Sequence, residues 1–413
     1  MVRRRKKIRS GRVMSVFLLC AIMLLGDAGM MTIQAAPSTG RAANLVVIVR
    51  YQGDTVGDDD TGYNTPYTSQ ISGAPTTYWG LLQRRFNGEN DTFAIGSFRE
   101  YLSRLSGGAH QVESLFPQTV SGERVEYITL DKTLAEYQGS NEISLVAEVA
   151  QKLTEKYPTY DGTLLDRDGD GAIDNLMILA SVPKTGQFTP HTTNAGNSYT
   201  FAGKTIGYYN ILETCTTTLS SGTFWDSFDI ATAAHEYVHT FGVPDYYRTS
   251  GMNGTPVGMW DLMAGSLGRP SLLATTRENI GWTKIAQKTA TSSTYTLYDM
   301  DSAYANGGKS QAYKFYTPFS SSEYFVVEYR RPGKKYSADL DQNMSGAGLI
   351  VYRVNPAYAT DGNLRGNDYI YVFRPDDTGG NASAGDITKA AAGMPPYISG
   401  RQSIGLEDLS KTI

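Results

Sequence analysis

The chain has 413 residues, 40% of them hydrophobic and 11% aromatic, with 37 Lys and Arg against 41 Asp and Glu and a formal net charge of −4. That length exceeds one ordinary core and predicts two domains plus processing segments, while the composition is that of a globular protein and the acidic balance argues against nucleic acid as a partner. With Cys20 and Cys215 as the only cysteines, a disulfide framework is excluded too.

The first 35 residues differ from the rest. "MVRRRKKIRSGR" is basic, "VMSVFLLCAIMLL" is an apolar run of signal-peptide length, and "TIQAAP" offers a small-residue cleavage site after Ala35. An uncleaved membrane anchor is the alternative, but the run is short for a span of about 20 residues. The expectation is a bacterial-type secretory signal, an extracellular protein, and no stable membrane insertion once the signal is removed. Removal leaves 30 basic against 40 acidic residues, a net charge near −10, which suits calcium outside the cell. Cys20 lies within the signal and follows no small residue, so lipidation is not expected. Cys215 reads as a small buried hydrophobe rather than a nucleophile.

After the signal, "ANLVVIVRYQ" is rich in β-branched residues and predicts a buried strand. "GSFREYLSRLSGG" places Phe98, Tyr101, Leu102 and Leu105 at helical spacing, with Ser97 as cap and Gly107 as stop. Ile143, Val146, Ala147, Ala150 and Leu153 predict a second amphipathic helix ending before Pro158, and "NLMILASV" from Asn175 another buried strand. Strand and helix alternate to about Trp282. From "STYTLYDM" onward, runs such as "AYKFYT", "EYFVVEYRR", "GLIVYRVN" and "YIYVFRP" alternate between Gly, Asn, Asp and Ser, an antiparallel β pattern. The expected fold class is α+β, with a first domain over 36–288 and a β-rich, β-sandwich-like domain over 289–413. The final "GLEDLSKTI" is neither a capped helix nor a polar tail, so the β module is expected to be incomplete.

Between these regions lies "HEYVHTFGVPDYY", His235 to Tyr247. H-E-x-x-H puts two imidazoles on one helical face with a glutamate beside them, the arrangement of a zinc peptidase. Asp229 is positioned to cap this helix, Gly242 to end it, and Pro244 to prevent its continuation. Ala234, Val238 and Phe241 would face the core. His235 and His239, stacked i to i+4, can reach one metal, and the turn at Gly242 lets Asp245 approach it. The longer metzincin motif ends in a third histidine, where this chain has Asp245. Downstream, "GMWDLMAGS" sets Met263 in a glycine-flanked turn, as in the methionine turn below a metzincin zinc site. The competing reading is that Asp245 only caps a turn while Asp261 or water completes the metal sphere.

On these residues the sequence resembles the immune inhibitor A family of secreted zinc metallopeptidases. The resemblance rests on H-E-x-x-H-x-x-G-x-x-D over His235 to Asp245, the segment to Tyr247 and W-D-L-M-x-G over Trp260 to Gly265. It extends to "SFREYLSRLSGG", "DRDGDGAIDNLMIL", "RPSLLATTRENIGW" and "YFVVEYRR…GAGLIVYRVN". It implies a metzincin-like zincin catalytic domain, zinc on His235, His239 and Asp245, Glu236 as general base, and protein or peptide substrates. A monomer is expected. Some metzincins use a tyrosine two residues after the turn methionine, a position that is Gly265 here; Tyr246 and Tyr247 are the tyrosines nearest in sequence. A function from another class is a metal-stabilised extracellular binding or adhesion module on the same scaffold. Glu236 speaks for catalysis, since a binding module has no need of a base beside the metal.

"DRDGDGAID" presents Asp166, Asp168, Asp170 and Asp174 at positions 1, 3, 5 and 9 of a calcium-loop pattern, with Gly171 at the turn and the Ala172 carbonyl as a further donor. Position 12 is Met177 rather than glutamate, so the expectation is a short structural calcium loop feeding a strand, against the alternative of a solvated acidic turn. "GDDDTG", with Asp58 to Asp60, reads as such a turn.

Overall fold

A computed structural model describes residues 36–53, 78–88, 96–118, 120–121, 124–137, 142–180, 190–213, 215–218, 224–226, 229–248, 255–266, 269–289, 294–300, 309–316, 320–331, 340–341, 348–364 and 368–373. The chain divides into two units, Met1–Ile33 and Gln34–Ile413, and every described residue belongs to the second. The signal segment 1–35, Asp58 to Asp60 and the side chain of Cys215 lie outside the described residues.

Strand β1 (Gly40–Arg50) is followed by helices α1 (Tyr78–Asn87) and α2 (Phe98–Leu105), strand β2 (His110–Leu115) and three two-residue strands, β3 (Val120–Ser121), β4 (Arg124–Val125) and β5 (Ile128–Thr129). Helices α3 (Leu134–Tyr137) and α4 (Glu142–Lys156) come next, then β6 (Ala172–Ile173), β7 (Leu176–Ala180), β8 (His191–Phe201) and β9 (Lys204–Glu213). A hairpin of β10 (Cys215–Thr218) and β11 (Phe224–Asp226) precedes helix α5 (Ile230–His239), and α6 (Ala274–Ile280) follows it.

The first sheet runs β2-β1-β7-β9, all parallel, with β5 also on β1 and β6 also on β9; β8 joins β9 antiparallel and forms one margin. A parallel sheet buried on both faces needs near-continuous apolar strands, and β1 supplies one. Val46 and Ile48 point to a cluster shared with α2 and α5, and Leu45, Val47 and Val49 to a cluster shared with α4. The expected face of α2 is buried, and Ser97 Oγ accepts from the Glu100 amide as a cap. The buried face of α4 lies slightly round from the expected one: Leu145, Val146, Val149, Ala150 and Leu153 are covered, and Ile143 is exposed.

The second sheet is formed by β12 (Ala286–Lys288), β13 (Ala312–Tyr316), β14 (Tyr324–Arg330), β15 (Gly348–Val354) and β16 (Ile370–Val372) in that order. It is antiparallel from β13 on, while β12 pairs parallel with β13. Residues 294–299 of "STYTLYDM" form no strand. The fold is thus mixed α/β, with a largely parallel sheet and a second sheet. Val326, Ile350, Tyr352 and Val372 of this sheet share one apolar cluster with Val238, Trp260 and Met263 around the histidine helix.

Candidate metal centre

Helix α5 starts where the sequence predicts, with Asp229 accepting from the amides of Ala231 (3.3 Å) and Thr232 (3.1 Å). Ile230, Ala231, Ala233, Ala234, Tyr237 and Val238 are buried on several sides, so the helix is held by packing all round rather than along one stripe. It ends at His239, and Gly242, at φ +77°, takes the left-handed conformation that turns the chain back.

That turn brings His235, His239 and Asp245 together. His235 Nε2 lies 3.0 Å from Asp245 Oδ1, His239 Nε2 lies 3.3 Å from the same oxygen, and the two Nε2 atoms are 3.2 Å apart. A tetrahedral ion with bonds of about 2.0–2.1 Å needs ligand atoms about 3.3 Å apart, so the three donors are at the right spacing for zinc. The far ring nitrogens strengthen the case. His235 Nδ1 faces Leu262 O at 2.8 Å and His239 Nδ1 faces Val243 O at 2.7 Å. Each Nδ1 must donate to its carbonyl, which turns a lone pair on each Nε2 toward the other, and a cation between them resolves that repulsion.

The local charges couple the three side chains. Burial acts to raise the Asp245 carboxyl, but the two imidazoles outweigh it and hold the group well below the usual carboxylate range. His235 is shifted up: burial opposes the shift, and Asp245, Glu236 and the Leu262 carbonyl overcome it. The Tyr247 ring stacks on His235 at 6.4 Å, and burial together with the adjacent Asp245 charge keeps its phenol protonated. Tyr246 instead is a core residue whose amide donates to Met263 O at 2.8 Å.

Met263 lies in a short 3-10 turn, Leu262–Ala264, which holds the site by two backbone carbonyls: Leu262 O receives His235, and Met263 O receives the residue after Asp245. Asp261 is fully buried and accepts from the amides of Met263 (2.8 Å) and Leu273 (2.7 Å) and from Thr276 Oγ1 (2.7 Å). Burial raises its carboxyl to about 6 despite these donors. Its oxygens are therefore engaged with the turn, and Asp245 is the acid that stands with the histidines. Gly265, two residues after Met263, brings no side chain.

Sequence reasoning missed the contacts of Glu236. Thr192 Oγ1 on β8 lies 2.9 Å from Glu236 Oε2 and 2.6 Å from Glu236 O, and Asn210 Nδ2 on β9 donates to both Thr192 Oγ1 and Glu236 O. Nothing in a chain separation of 44 residues could signal this.

In the acidic loop, Asp166, Asp168 and Asp174 bring carboxylate oxygens together. Asp170 is outside that group and instead caps the Ala172 amide at 2.8 Å. Ala172 itself begins β6, paired with Thr205. Asp166 accepts from the amides of Gly169, Asp170 and Gly171 and from Lys204 Nζ at 2.6 Å. Burial raises the Asp174 carboxyl to about 7, against the amides of Ala43 and Arg167. Asp166, Asp168 and Asp174 offer oxygen donors of the kind calcium takes, with the Lys204 ammonium already paired to Asp166. A separate cleft of about 470 Å³ lies between α2 and the starts of β1 and β2; there Arg99 Nε donates to Val112 O and Arg167 pairs with Glu113.

No family model matches the chain. Over 226 residues it is 28% identical to the pre-pro-metalloprotease PrtV of Vibrio cholerae serotype O1, in strains M66-2 and ATCC 39315 / El Tor Inaba N16961; the match covers 46% of this chain and 23% of PrtV. The chain thus spans less than a quarter of the length of these relatives. Among solved structures, wild-type OgpA from Akkermansia muciniphila covers 81% of this chain and 89% of its own at 12% identity, with a TM-score of 0.28. No described helix is long and apolar enough to cross a membrane. In sequence, then, slightly under half of the chain is similar to a metalloprotease.

Proposed function

We propose that the chain is a secreted zinc-dependent endopeptidase of metzincin-like, immune inhibitor A-like type, acting on extracellular proteins or peptides. The observation that carries this reading is the triangle of His235 and His239, on a helix that also carries Glu236, with Asp245 brought back to them beyond the Gly242 turn. When bound there, zinc supplies a Lewis acid and a water acidified to a pKa of about 7. Glu236 takes the proton of the attacking water and delivers it to the leaving amine. The carbonyls of Leu262 and Val243 fix the ring orientations of the two histidines, and Tyr247 supports the Asp245 side. Among the described strands β8 pairs only with β9, and an extended peptide added along its other edge would run beside Glu236.

Calcium in the Asp166, Asp168 and Asp174 loop is part of the same proposal, as a structural ion. The loop's support of the fold is direct: Asp174 Oδ2 accepts from the Ala43 amide of β1 at 2.6 Å.

The test is Glu236→Ala. The variant should retain zinc and its fold while hydrolysis of an unfolded protein substrate falls by about a hundred- to ten-thousandfold. Activity close to that of the wild type would sink the mechanism.

A further inference from the structure

We propose that Thr192 is a positioning residue for Glu236, set by a ladder of buried amides that crosses the first sheet. The ladder runs Ser114, Asn44, Asn175, Asn210, Thr192. Ser114 and Asn44 are register partners on β2 and β1, and Asn210 and Thr192 are register partners on β9 and β8. Asn44, Asn175 and Asn210 are completely buried. Three consecutive amides within a buried parallel sheet occupy places where apolar side chains would pack without needing partners.

The direction of every bond in the ladder follows from its last acceptor. Glu236 O is a main-chain carbonyl in the last turn of α5, a place where carbonyls are open to outside donors, and it can only accept. Asn210 must therefore turn its Nδ2 to Glu236 O (3.2 Å) and to Thr192 Oγ1 (3.0 Å). Its Oδ1 then accepts from Asn175 Nδ2 (2.7 Å), which also donates to Asn44 Oδ1 (2.8 Å), and Asn44 Nδ2 is left to Ser114 Oγ (3.2 Å). No amide in the row can flip without setting two acceptors or two donors against each other.

The consequence falls on Thr192. Its oxygen already accepts from Asn210, so its single hydroxyl proton is left for Glu236, whose main-chain O at 2.6 Å and Oε2 at 2.9 Å both lie within its reach. One carboxylate oxygen is thereby anchored to the sheet, and the other is left for proton transfer. A carboxylate on a flexible side chain is held against the sheet by a neighbouring hydroxyl.

The kinetic arm of the test rests on the peptidase reading; the structural arm does not. Thr192→Val keeps shape and removes the hydroxyl, and Thr192→Ser restores it. Thr192→Val should bind zinc with wild-type affinity and keep KM within about twofold, while kcat falls by about 10- to 100-fold, the range in which misplacement of a reacting group is felt. Thr192→Ser should recover most of that loss. In crystals of the metal-free proteins, the Glu236 carboxylate should occupy its wild-type position in Thr192→Ser and leave it in Thr192→Val. Wild-type kcat with an unmoved Glu236 in Thr192→Val overturns the proposal. If the wild type hydrolyses no peptide, the proposed function fails, and the Glu236 coordinates alone decide: displacement in Thr192→Val upholds the positioning role and an unmoved carboxylate overturns it.

Discussion

At the scale of residues, the departure from the three-histidine pattern has a physical reading. Two neutral imidazoles and one carboxylate leave a bound zinc ion with one net positive charge, enough to polarise a carbonyl. Asp245 and Asp261 separate the possibilities in one experiment. Asp245→Asn should lose most of its zinc, because an amide offers only a weak neutral oxygen at the corner of the triangle. Asp261→Asn should keep zinc but lose about 1–3 kcal/mol of stability, since an NH₂ group would face the amides of Met263 or Leu273. Zinc content by atomic absorption, with denaturant melts of both variants, reads the result; full zinc in Asp245→Asn would remove it from the ligand set. The motif residues were legible because their chemistry depends on local spacing: i to i+4 on a helix and a fixed return through Gly242. Thr192 was not, because its relation to Glu236 exists only once β8 and α5 are packed.

At the scale of elements, α5, α2 and β1 follow from their patterns, while α4 shows how far periodicity reaches. It predicts the helix but misses the covered face by part of a turn, since Leu145 and Val149 are chosen by the sheet they meet. A shorter element matters more to the site. Gly362, at φ +60°, lies against the Asp245 segment: a Cβ there would stand 2.2 Å from Asp245 O, and the Asn363 amide donates to that oxygen. Gly362→Ala should destabilise the fold by about 1–3 kcal/mol and also weaken zinc binding, because the strain is delivered to the ligand's own backbone. Chelator competition measures this, and unchanged zinc affinity would show that the turn does not hold Asp245. For the acidic loop, calcium at about a hundred times its Kd should add about 2.7 kcal/mol of stability, lost on chelation and absent in Asp168→Ala. A melting temperature indifferent to calcium would leave a solvated turn.

At the scale of the whole molecule, the second sheet is tied to the turn beneath His235 by a buried polar network. Glu328 on β14 accepts from the Ala274 amide at the start of α6, and Arg330 pairs with Asp341 while donating to Trp260 O, just before the methionine turn. Burial disfavours the charge on Arg330, but Asp341 and Glu328 more than compensate and shift it up. The other side of α5 is held by His110 on β2, whose ring meets the Tyr237 hydroxyl at 3.1 Å amid Phe241 and Trp282. Burial pushes this imidazole from 6.5 down to about 4. Between those values the unfolded chain binds the extra proton, so stability from this group is complete above pH 6.5 and declines by about 1.4 kcal/mol per pH unit below it, to a total of about 3 kcal/mol near pH 4. His110→Gln should lack that component: comparing urea melts at pH 7 and pH 5, the variant should lose about 2 kcal/mol less than the wild type. Equal losses would mean that His110 is not held neutral.

The sequence by itself determined the spacing of His235, His239 and Asp245, the capped helix that carries the two histidines, the acidic run and the change of texture near residue 288, since each depends on residues a few positions apart whose spacing the backbone fixes. The tertiary structure alone decided which oxygens are engaged. It placed Asp261 under the methionine turn, Lys204 on Asp166, Gly362 against Asp245, and a row of amides between β2 and Glu236. Such partners are set by the register of strands distant in sequence and by the cost of burying a polar group without a partner, which only the assembled sheet can reduce.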